Sequence, residues 1–375
     1  MIRLTFILLS SLFLQTLNAQ ELARVVIKQD KTTGFINKKG ELVIRGEYSN
    51  GRDFHDGVAA VVDKQTKKWG YINRKGEKVI DFQFDNAKDF NSGIALVSIE
   101  KRWFYIDKSG KELKNFPESE KLYDFEEGRA LFKTSEGVGV IDTKGKIVVP
   151  PVYHTIRPFV DGYARVRKDG LWGVIDKNGK IFTNIEYNNI GIVVNGVNFG
   201  QKGDEWGVIK GNKFIPVEGA VKIWDFNKDG ITYARKGNLL GFIDSSGKWI
   251  IEPQYEKVRA FVNGLAPAMQ NKKWGYIDLK GNWKIEPKYR NAEIFSEDGL
   301  APVTEKKLYG FINTKGEEVV SQEYTVATTD GFFSQALEGY VNGLARVKNK
   351  KGWNFMDKQG KLLCEESFLH AWSFK

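Results

Sequence analysis

The sequence predicts an all-β chain built from tandem repeats of about 34 residues. One phrase of alternating aromatic and β-branched residues recurs ten times, a similar turn follows most copies, and no stretch keeps the apolar period of a helix. The second position of the phrase falls at residues 34, 70, 104, 139, 173, 207, 241, 275, 310 and 354. The intervals are 34–36 residues, apart from a last one of 44.

The first predicted strand of each repeat carries the phrase itself, which reads Trp-Gly-x-Ile-Asp in its fullest form. We interpret its positions as structural, since Val138, Leu240 or Tyr309 replaces the tryptophan in other copies. A residue that recurs at one repeat position and tolerates such replacements is typical of packing between neighbouring repeats. These structural positions are Trp69, Gly70, Trp103, Trp172, Gly173, Trp206, Gly207, Trp274, Gly275 and Trp353.

A tight turn and two further strands follow the phrase. In the segment Asp142 to Gly145, an aspartate opens the turn and a glycine closes it, which is typical of a type I turn with a left-handed glycine. The second strand often ends in a proline and an aromatic residue, as in Ile285 to Tyr289, because proline cannot donate to a strand ladder. A third segment, Phe-x-x-Gly-x-Ala-x-Val, leads to the next phrase. The pattern predicts about three short antiparallel strands per repeat.

These phrases and their spacing resemble the WG-repeat (KWG-type) family of bacterial proteins. The resemblance rests on Trp-Gly-x-Ile-Asp-x-x-Gly and Phe-x-x-Gly-Leu-Ala-x-Val, and it covers about residues 33–363. It implies an all-β repeat domain, often exported, that mediates interactions. The family supplies no catalytic motif to transfer to this sequence.

Two architectures fit such a repeat. Three strands in about 34 residues, ten times over, favour an open, curved superhelix, since propeller blades usually hold four strands in about 40–50 residues. The alternative is a closed ring resembling a β-propeller. In both, neighbouring repeats bury each other's faces and remove the need for one large core.

The chain divides into a predicted signal peptide, residues 1–19, and a repeat domain, residues 20–375. Arg3 precedes an apolar stretch from Leu4 to Leu14, and small residues precede Gln20, as in a cleaved export signal. Within the repeat domain, copies over residues 172–240 depart from the pattern, and an insertion occupies residues 325–339. We expect an exported protein, periplasmic or extracellular, with no membrane span in the mature chain.

Two places are candidate binding surfaces. Trp249 and Trp283 lie at equivalent positions of adjacent repeats, where other copies carry residues as polar as Lys78. A position that tolerates charge indicates a partly exposed strand face, where aromatic rings stack on sugars or anchor a protein, although local burial is the alternative. In the insertion, Phe332 and Phe333 follow a glycine and form either an apolar loop tip or a cover over the last repeat interface.

Signals for catalysis and for cofactors are weak. The three histidines are far apart, Cys364 is the only cysteine, and neither residue type shows a metal-ligand spacing. We therefore predict no catalytic residue, no metal and no cofactor. The net charge of +10 is spread over many turn lysines, which are common solubility devices, so we predict no nucleic-acid partner.

The sequence thus favours a non-catalytic, exported repeat protein that acts as a binding or scaffold module for a protein or a glycan of the cell envelope. The alternative is a glycan-acting enzyme with a carboxylate site grafted on the repeat groove. Fold alone does not decide between them.

Overall fold

The computed structural model describes residues 21–328 and 337–375. All the regular elements in these two ranges are β-strands, which confirms the predicted fold class. No helix with the length and apolar character needed to cross a bilayer occurs in this part of the chain. We number the repeat units 1 to 10 by the Trp-Gly strand that each contains.

The strands of units 1 to 5 are β1 (Ala23–Val26), β2 (Thr33–Ile36), β3 (Leu42–Gly51), β4 (Val58–Asp63), β5 (Trp69–Asn73), β6 (Lys78–Phe84), β7 (Asn86–Ala87), β8 (Ile94–Ile99), β9 (Arg102–Asp107), β10 (Lys121–Glu126), β11 (Arg129–Thr134), β12 (Gly137–Asp142), β13 (Ile147–Tyr153), β14 (Thr155–Ile156), β15 (Tyr163–Lys168), β16 (Leu171–Asp176) and β17 (Ile181–Tyr187).

The remaining strands are β18 (Asn189–Ile190), β19 (Val197–Lys202), β20 (Glu205–Lys210), β21 (Lys213–Pro216), β22 (Lys222–Ile223), β23 (Ile231–Lys236), β24 (Leu239–Asp244), β25 (Trp249–Tyr255), β26 (Lys257–Val258), β27 (Ala266–Gln270), β28 (Lys273–Ile277), β29 (Trp283–Tyr289), β30 (Asn291–Ala292), β31 (Leu300–Thr304), β32 (Tyr309–Asn313), β33 (Glu318–Val326), β34 (Tyr340–Val341), β35 (Leu344–Asn349), β36 (Gly352–Asp357) and β37 (His370–Ala371).

A complete unit is an antiparallel sheet of four strands, which we call A, B, C and D in chain order. In unit 8 these are β26, β27, β28 and β29, and each pairs with the next. Strand C carries the Trp-Gly phrase and strand D the proline. The prediction of about three strands missed strand A, because its two residues directly follow strand D and leave no period to detect.

The predicted C–D turn has the expected chemistry. In unit 8, the Asp278 carboxylate accepts hydrogen bonds of 2.9 Å from the backbone N–H groups of both Lys280 and Asn282. Gly281 has a φ of 81°, a left-handed conformation that glycine adopts without steric cost. The side chain that opens the turn thus replaces backbone partners that the short loop lacks.

Hydrophobic clusters lie between consecutive units, as stacked repeats require. One cluster joins Tyr276 and Ile285 of unit 8 to Ala301 and Ile312 of unit 9, all almost fully buried. The turn glycine of unit 9, Gly316, packs against Ile285 of strand D in the preceding unit. Each unit therefore completes the core of its neighbour.

An arginine also links neighbouring units at five places. Its guanidinium donates a hydrogen bond of 2.7–3.3 Å to the carbonyl of the second strand A position in the following unit. A charge-assisted hydrogen bond from one sheet to a carbonyl of the next fixes the spacing of the two sheets. The pairs are Arg24 to Gly51, Arg52 to Ala87, Arg165 to Ile190, Arg259 to Ala292 and Arg346 to Ala371.

The two ends of the chain close a ring. Strand β37 pairs with β1, with Val25 opposite Ala371, so the C-terminus supplies strand A of unit 1. The backbones of Leu22 and Lys375 exchange hydrogen bonds of 3.0 and 3.1 Å. The last of the five arginine links, from Arg346, spans this same closure.

The core at the closure repeats the pattern found between other units. Phe355 and Cys364 of the last unit share a buried cluster with Ala23 of the first. Gly40, the turn glycine of unit 1, lies against Cys364 as Gly316 lies against Ile285. The open superhelix favoured by repeat length was therefore wrong, and the closed ring is observed. Strand A supplies the fourth strand, and the ends are joined by the same contacts that join every other pair of units.

The insertion falls in the A–B loop of unit 10. Val326 ends strand A of this unit opposite Val347. Tyr340 then takes the place of the phenylalanine that begins the Phe-x-x-Gly segment of other units, and its ring centroid lies 4.9 Å from that of Phe311. Phe332 and Phe333 lie outside the described residues, as does the predicted signal peptide.

Candidate functional site

A concave pocket of about 760 Å³ lies across units 7, 8 and 9, which falls in the size range of small-ligand sites, about 300–1,000 Å³. Strand A of units 8 and 9 contributes to its lining, and in unit 7 the residue directly after strand A, Trp224, does so. Its aromatic residues are Trp224, Tyr233, Trp274 and Tyr309. Its cationic residues are Arg235, Lys257, Arg259, Arg290, Lys306 and Lys307.

Cations lie over the aromatic rings on the unit 7 side of the pocket. The Lys222 ammonium is 4.7 Å and the Arg235 guanidinium 5.6 Å from the centre of the Trp224 ring. Tyr233 packs beside the same indole at a centroid distance of 4.8 Å. Such cation–π contacts hold flexible basic side chains in defined positions.

Arg259 organises the centre of the pocket. Its guanidinium lies 5.0 Å from the Trp274 ring centre and donates to the carbonyl of Ala292 and the side-chain oxygen of Asn291. It also contacts the Glu293 carboxylate at 2.8 Å, where Glu293 is only 2% exposed. Burial raises the pKa of Glu293, and the positive charge of Arg259 opposes that rise. Arg259 is therefore a cation held in a defined position, and the buried Glu293 partly balances its charge.

Two polar atoms at the pocket have no hydrogen-bond partner in the described chain. Arg235 Nε and Thr304 Oγ1 are both buried atoms, and Thr304 as a whole is 3% exposed. Buried polar atoms without partners are uncommon in folded proteins, since each costs about 1–3 kcal/mol. Two such atoms in one concave site leave hydrogen-bonding capacity there that the described chain does not use.

The rim of the pocket is strongly basic. Lys257, Lys306 and Lys307 are exposed, and Arg290 donates to the carbonyl of Lys306 at 2.8 Å. Among the described lining residues, Glu256 is the one carboxylate. A concave wall of one charge sign concentrates ligands of the opposite sign.

A second pocket, of about 570 Å³, lies across units 3 and 4. Trp103 and Tyr123 supply its aromatic residues. Its charges are more nearly balanced, because three lysines and two carboxylates line it. Lys88 lies 3.9 Å from Asp124, and Lys133 just outside lies 3.8 Å from Glu120. This pocket therefore lacks the basic character of the first.

A group of acidic residues borders the second pocket. Asp89 contacts Arg52 and His55 at 3.9 Å, and one of its oxygens has no hydrogen-bond partner in the described chain. Burial raises the pKa of Asp89, and the carboxylates of Asp53 and Asp124 raise it further, against the lowering effect of Arg52 and His55. A buried carboxyl with a raised pKa beside other carboxyl groups is a feature of acid–base sites and of structural networks alike.

The structure places the predicted surface tryptophans in two separate interfaces. Trp249 is half-buried against the cluster between units 6 and 7 and donates to the Glu218 carbonyl at 3.2 Å. Trp283 is half-buried against the next cluster, edge-on to Tyr255 at 5.7 Å between ring centroids. Neither residue lines the two pockets. Their role as a joint binding surface remains a prediction.

The Trp-Gly residues differ in exposure around the ring. Trp206 and Trp274 are buried, Trp69, Trp172 and Trp353 are half-buried, and Trp103 is 40% exposed. The glycines after them allow strands C and D to approach closely, because a Cβ would collide with a carbonyl oxygen of strand D. This applies to Gly70, Gly173, Gly207 and Gly275.

The residues that shape the pocket across units 7, 8 and 9 were not predicted from the sequence. Trp224, Arg235 and Arg259 lie outside the Trp-Gly phrase, and Trp224 occupies a position where other units carry Arg52 or Lys88. The sequence signal that could have pointed to this pocket is the replacement of a recurrent basic residue by a tryptophan. Within residues 21–328 and 337–375, no group of three or more His, Cys, Asp or Glu side chains is arranged to hold a metal ion.

The model of the family called WG containing repeat matches eight segments of this sequence: residues 34–64, 69–103, 103–136, 139–172, 172–206, 241–274, 274–309 and 309–353. The chain belongs to the WG-repeat family. The gap at residues 207–240 lies within the segment that departs from the repeat pattern, yet the four strands β18 to β21 form unit 6 there.

The solved structures that this WG-repeat chain is similar to share little sequence with it. A eukaryotic initiation factor is 12% identical, with a TM-score of 0.45, covering 80% of this chain and 95% of that one. Hsv2p of Kluyveromyces lactis is 10% identical, with a TM-score of 0.34 and coverages of 68% and 96%. No curated protein matches the sequence.

Proposed function

We propose that this WG-repeat protein is an exported, non-catalytic binding or scaffold module for a glycan or protein of the cell envelope, and that its ligand site is the pocket across units 7, 8 and 9. The observation that supports this most is the coincidence of aromatic rings, fixed cations and two unsatisfied polar atoms in one concave site. Export rests on the sequence of residues 1–19, and non-catalytic action on the shortage of carboxylates at the pocket.

The pocket favours a glycan over a protein ligand. Peptides often bind by adding a strand to an exposed sheet edge, which supplies main-chain hydrogen bonds along several residues. The strand A edges at this pocket, β26 and β30, are two residues long and offer little such template. Sugar rings instead use scattered side-chain donors and aromatic surfaces, which this pocket provides.

Binding can be tested with the purified chain of residues 20–375 on an array of defined neutral and acidic glycans. A Lys257→Gln, Lys306→Gln, Lys307→Gln variant serves as the comparison. We expect a restricted set of glycans to bind the intact chain, with weaker binding by the variant and no shortening of the bound glycans by mass spectrometry. Absence of all glycan binding, or binding unaffected by the three changes, would contradict a ligand site at this pocket.

Export has its own test. Expression of the full chain in a bacterium with a periplasm should yield a product in the periplasmic or extracellular fraction that begins at Gln20. A product that keeps residues 1–19 and stays in the cytoplasm would overturn this part of the proposal.

Asp89 supports a second candidate, a glycan-acting enzyme. Glycoside hydrolysis commonly uses two carboxyl groups in different environments, and Asp89 is a buried carboxyl whose pKa is raised by its burial and by the nearby Asp53 and Asp124. Release of shorter glycans that stops in an Asp89→Asn variant would establish this activity and refute the non-catalytic proposal.

A further inference from the structure

We propose that the pocket across units 7, 8 and 9 recognises an acidic oligosaccharide, a chain of sugars that carry carboxylate groups. This inference rests on the proposed binding function and specifies its ligand class. It starts from three kinds of side chain that meet in the pocket: cations, aromatic rings and neutral hydrogen-bonding groups.

The cations set the charge of the ligand. Six basic side chains line the pocket against one carboxylate in the described lining, Glu256, and Glu256 is engaged as an acceptor from the backbone N–H of Lys272 at 3.3 Å. The buried Glu293 offsets Arg259 alone. The excess positive charge that remains on the rim favours anionic groups, and guanidiniums match groups that accept two parallel hydrogen bonds, such as a carboxylate.

The neutral hydrogen-bonding side chains of the pocket favour a ligand that carries hydroxyl groups as well as charge. Thr304 Oγ1 is a buried hydroxyl without a partner in the described chain, and its lone pairs and proton match a sugar hydroxyl. Asn291 lies beside it in strand A of unit 9, where its amide bonds to the Tyr309 hydroxyl and to Glu293. A hydroxyl such as that of Thr304 both donates and accepts, so it pairs with a ligand that carries hydroxyls as well as charge.

The aromatic residues supply the apolar part. Tyr233, Tyr309 and Trp224 are half-buried, so part of each ring faces the pocket. A uronic acid sugar has C–H faces, hydroxyls and one carboxylate, and therefore matches all three kinds of lining group at once. An acidic peptide would satisfy the cations, but the two-residue strand edge of β26 offers it little main-chain pairing.

Extension across three units fits an oligomer better than a single sugar. Arg235 lies in unit 7, Lys257 and Arg259 in unit 8, and Lys306 in unit 9. Cations at successive repeats match carboxylates at successive sugars of a polymer. The arginine link from Arg259 to Ala292 fixes units 8 and 9 relative to each other, so the backbone segments that carry these cations are held in place before binding.

The test is calorimetric titration of the chain of residues 20–375 with three probes: tetragalacturonate, neutral maltotetraose and tetraglutamate. We expect tetragalacturonate to bind at least about tenfold more tightly than either other probe at low salt, and to weaken as salt rises because exposed charges are screened. The Lys257→Gln, Lys306→Gln, Lys307→Gln variant should lose about tenfold or more in affinity for tetragalacturonate.

A matched control removes the same number of charges elsewhere. Lys88→Gln, Lys101→Gln, Lys121→Gln changes the second pocket, and we expect its affinity to stay within about twofold of the unchanged chain. Equal loss in both variants would mean that net charge, and not this pocket, governs binding, which overturns the inference.

The other outcomes separate the inference from the proposed function. Preferred binding of maltotetraose would overturn the acidic ligand while leaving a glycan-binding module in place. Binding of tetraglutamate as tight as that of tetragalacturonate would overturn the sugar and favour an acidic protein partner. Binding of none of the three would overturn the inference, and the glycan array then decides the proposed function independently.

Discussion

In units 3 and 4 and again in units 8 and 9, a Trp-Gly tryptophan and the basic residue after strand A line one pocket. Trp103 and Lys88 do so in the first region, Trp274 and Arg259 in the second. The surroundings differ: Lys88 faces the partly exposed Asp124 at 3.9 Å, whereas Arg259 contacts the buried Glu293 at 2.8 Å. The same backbone frame thus carries a balanced, open surface in one region and a fixed cationic site in the other.

The difference teaches that repeat position does not determine role in this ring. Strand pairing, turn aspartates and inter-unit clusters recur in both regions and support the fold. The proposed binding function depends on the side chains that the repeat leaves free to vary, at the end of strand A and along the B–C turns. Substitutions at matched positions of the two regions therefore test the account directly.

The largest difference should come from the two tryptophans. Trp274→Ala removes a side chain that is 6% exposed and leaves a cavity between units, so we expect the free energy of unfolding to fall by about 4 kcal/mol. Trp103 is 40% exposed, and Trp103→Ala should cost about 1 kcal/mol. Urea unfolding of both variants measures this, and equal losses would contradict the difference in packing.

Arg259→Ala should have the next largest effect. It leaves the buried Glu293 without its cation, which we expect to cost about 3 kcal/mol in the free energy of unfolding, whereas Lys88→Ala breaks a solvent-exposed pair and should cost less than about 1 kcal/mol. Adding Glu293→Gln to Arg259→Ala should recover part of the loss. A double variant as unstable as the sum of its single changes would show that the two side chains do not interact.

The loss in Arg259→Ala should depend on pH. Burial already raises the pKa of Glu293 in the folded chain, and removing Arg259 raises it further. A carboxyl with a raised folded pKa contributes stability below its unfolded pKa, and this contribution is lost as pH rises through the folded pKa. The variant should therefore be closer to the unchanged chain in stability at acidic pH than at pH 8. Urea unfolding across this pH range checks the direction, and a larger gap at acidic pH would contradict it.

The smallest expected effect is a gain of binding in the second pocket. Glu120→Gln, Asp124→Asn removes the carboxylates that balance its lysines, and we expect tetragalacturonate to bind this pocket a few fold more tightly than before. The measurement uses a chain that also carries Lys257→Gln, Lys306→Gln, Lys307→Gln, so that the main pocket does not mask the change. No gain would show that charge alone is insufficient and that the cation–aromatic arrangement near Trp224 is required.

Much of the fold could be predicted from the sequence, because its signals are local. The Asp278 turn, the proline end of strand D and the spacing of the Trp-Gly phrase each report on a few adjacent residues. Ring closure could not be read in this way, since the pairing of Val25 with Ala371 joins the two ends of the chain. The two residues of strand A, which make that closure, are too short to produce a periodic signal.

The candidate site was not predicted, because its residues come from three units and share no phrase. Trp249 and Trp283 were predicted as a binding surface because tryptophan is unusual at their repeat position, but that position lies at the edge of the clusters between units. The role of Trp224 and Arg259 in the pocket becomes visible only when strand A is known, because strand A places successive units side by side. Which side chains converge is a property of the closed ring and not of any one repeat.

The most direct measurement is to locate a bound acidic oligosaccharide by carbodiimide coupling, which joins a ligand carboxylate to a lysine amine in contact with it. Tetragalacturonate is coupled to the chain of residues 20–375, and the modified lysines are identified by peptide mass spectrometry. The account predicts coupling at Lys257, Lys306 and Lys307, suppressed by excess salt. Coupling mainly at Lys88, Lys101 and Lys121, or evenly over the surface lysines, would contradict a ligand site across units 7, 8 and 9.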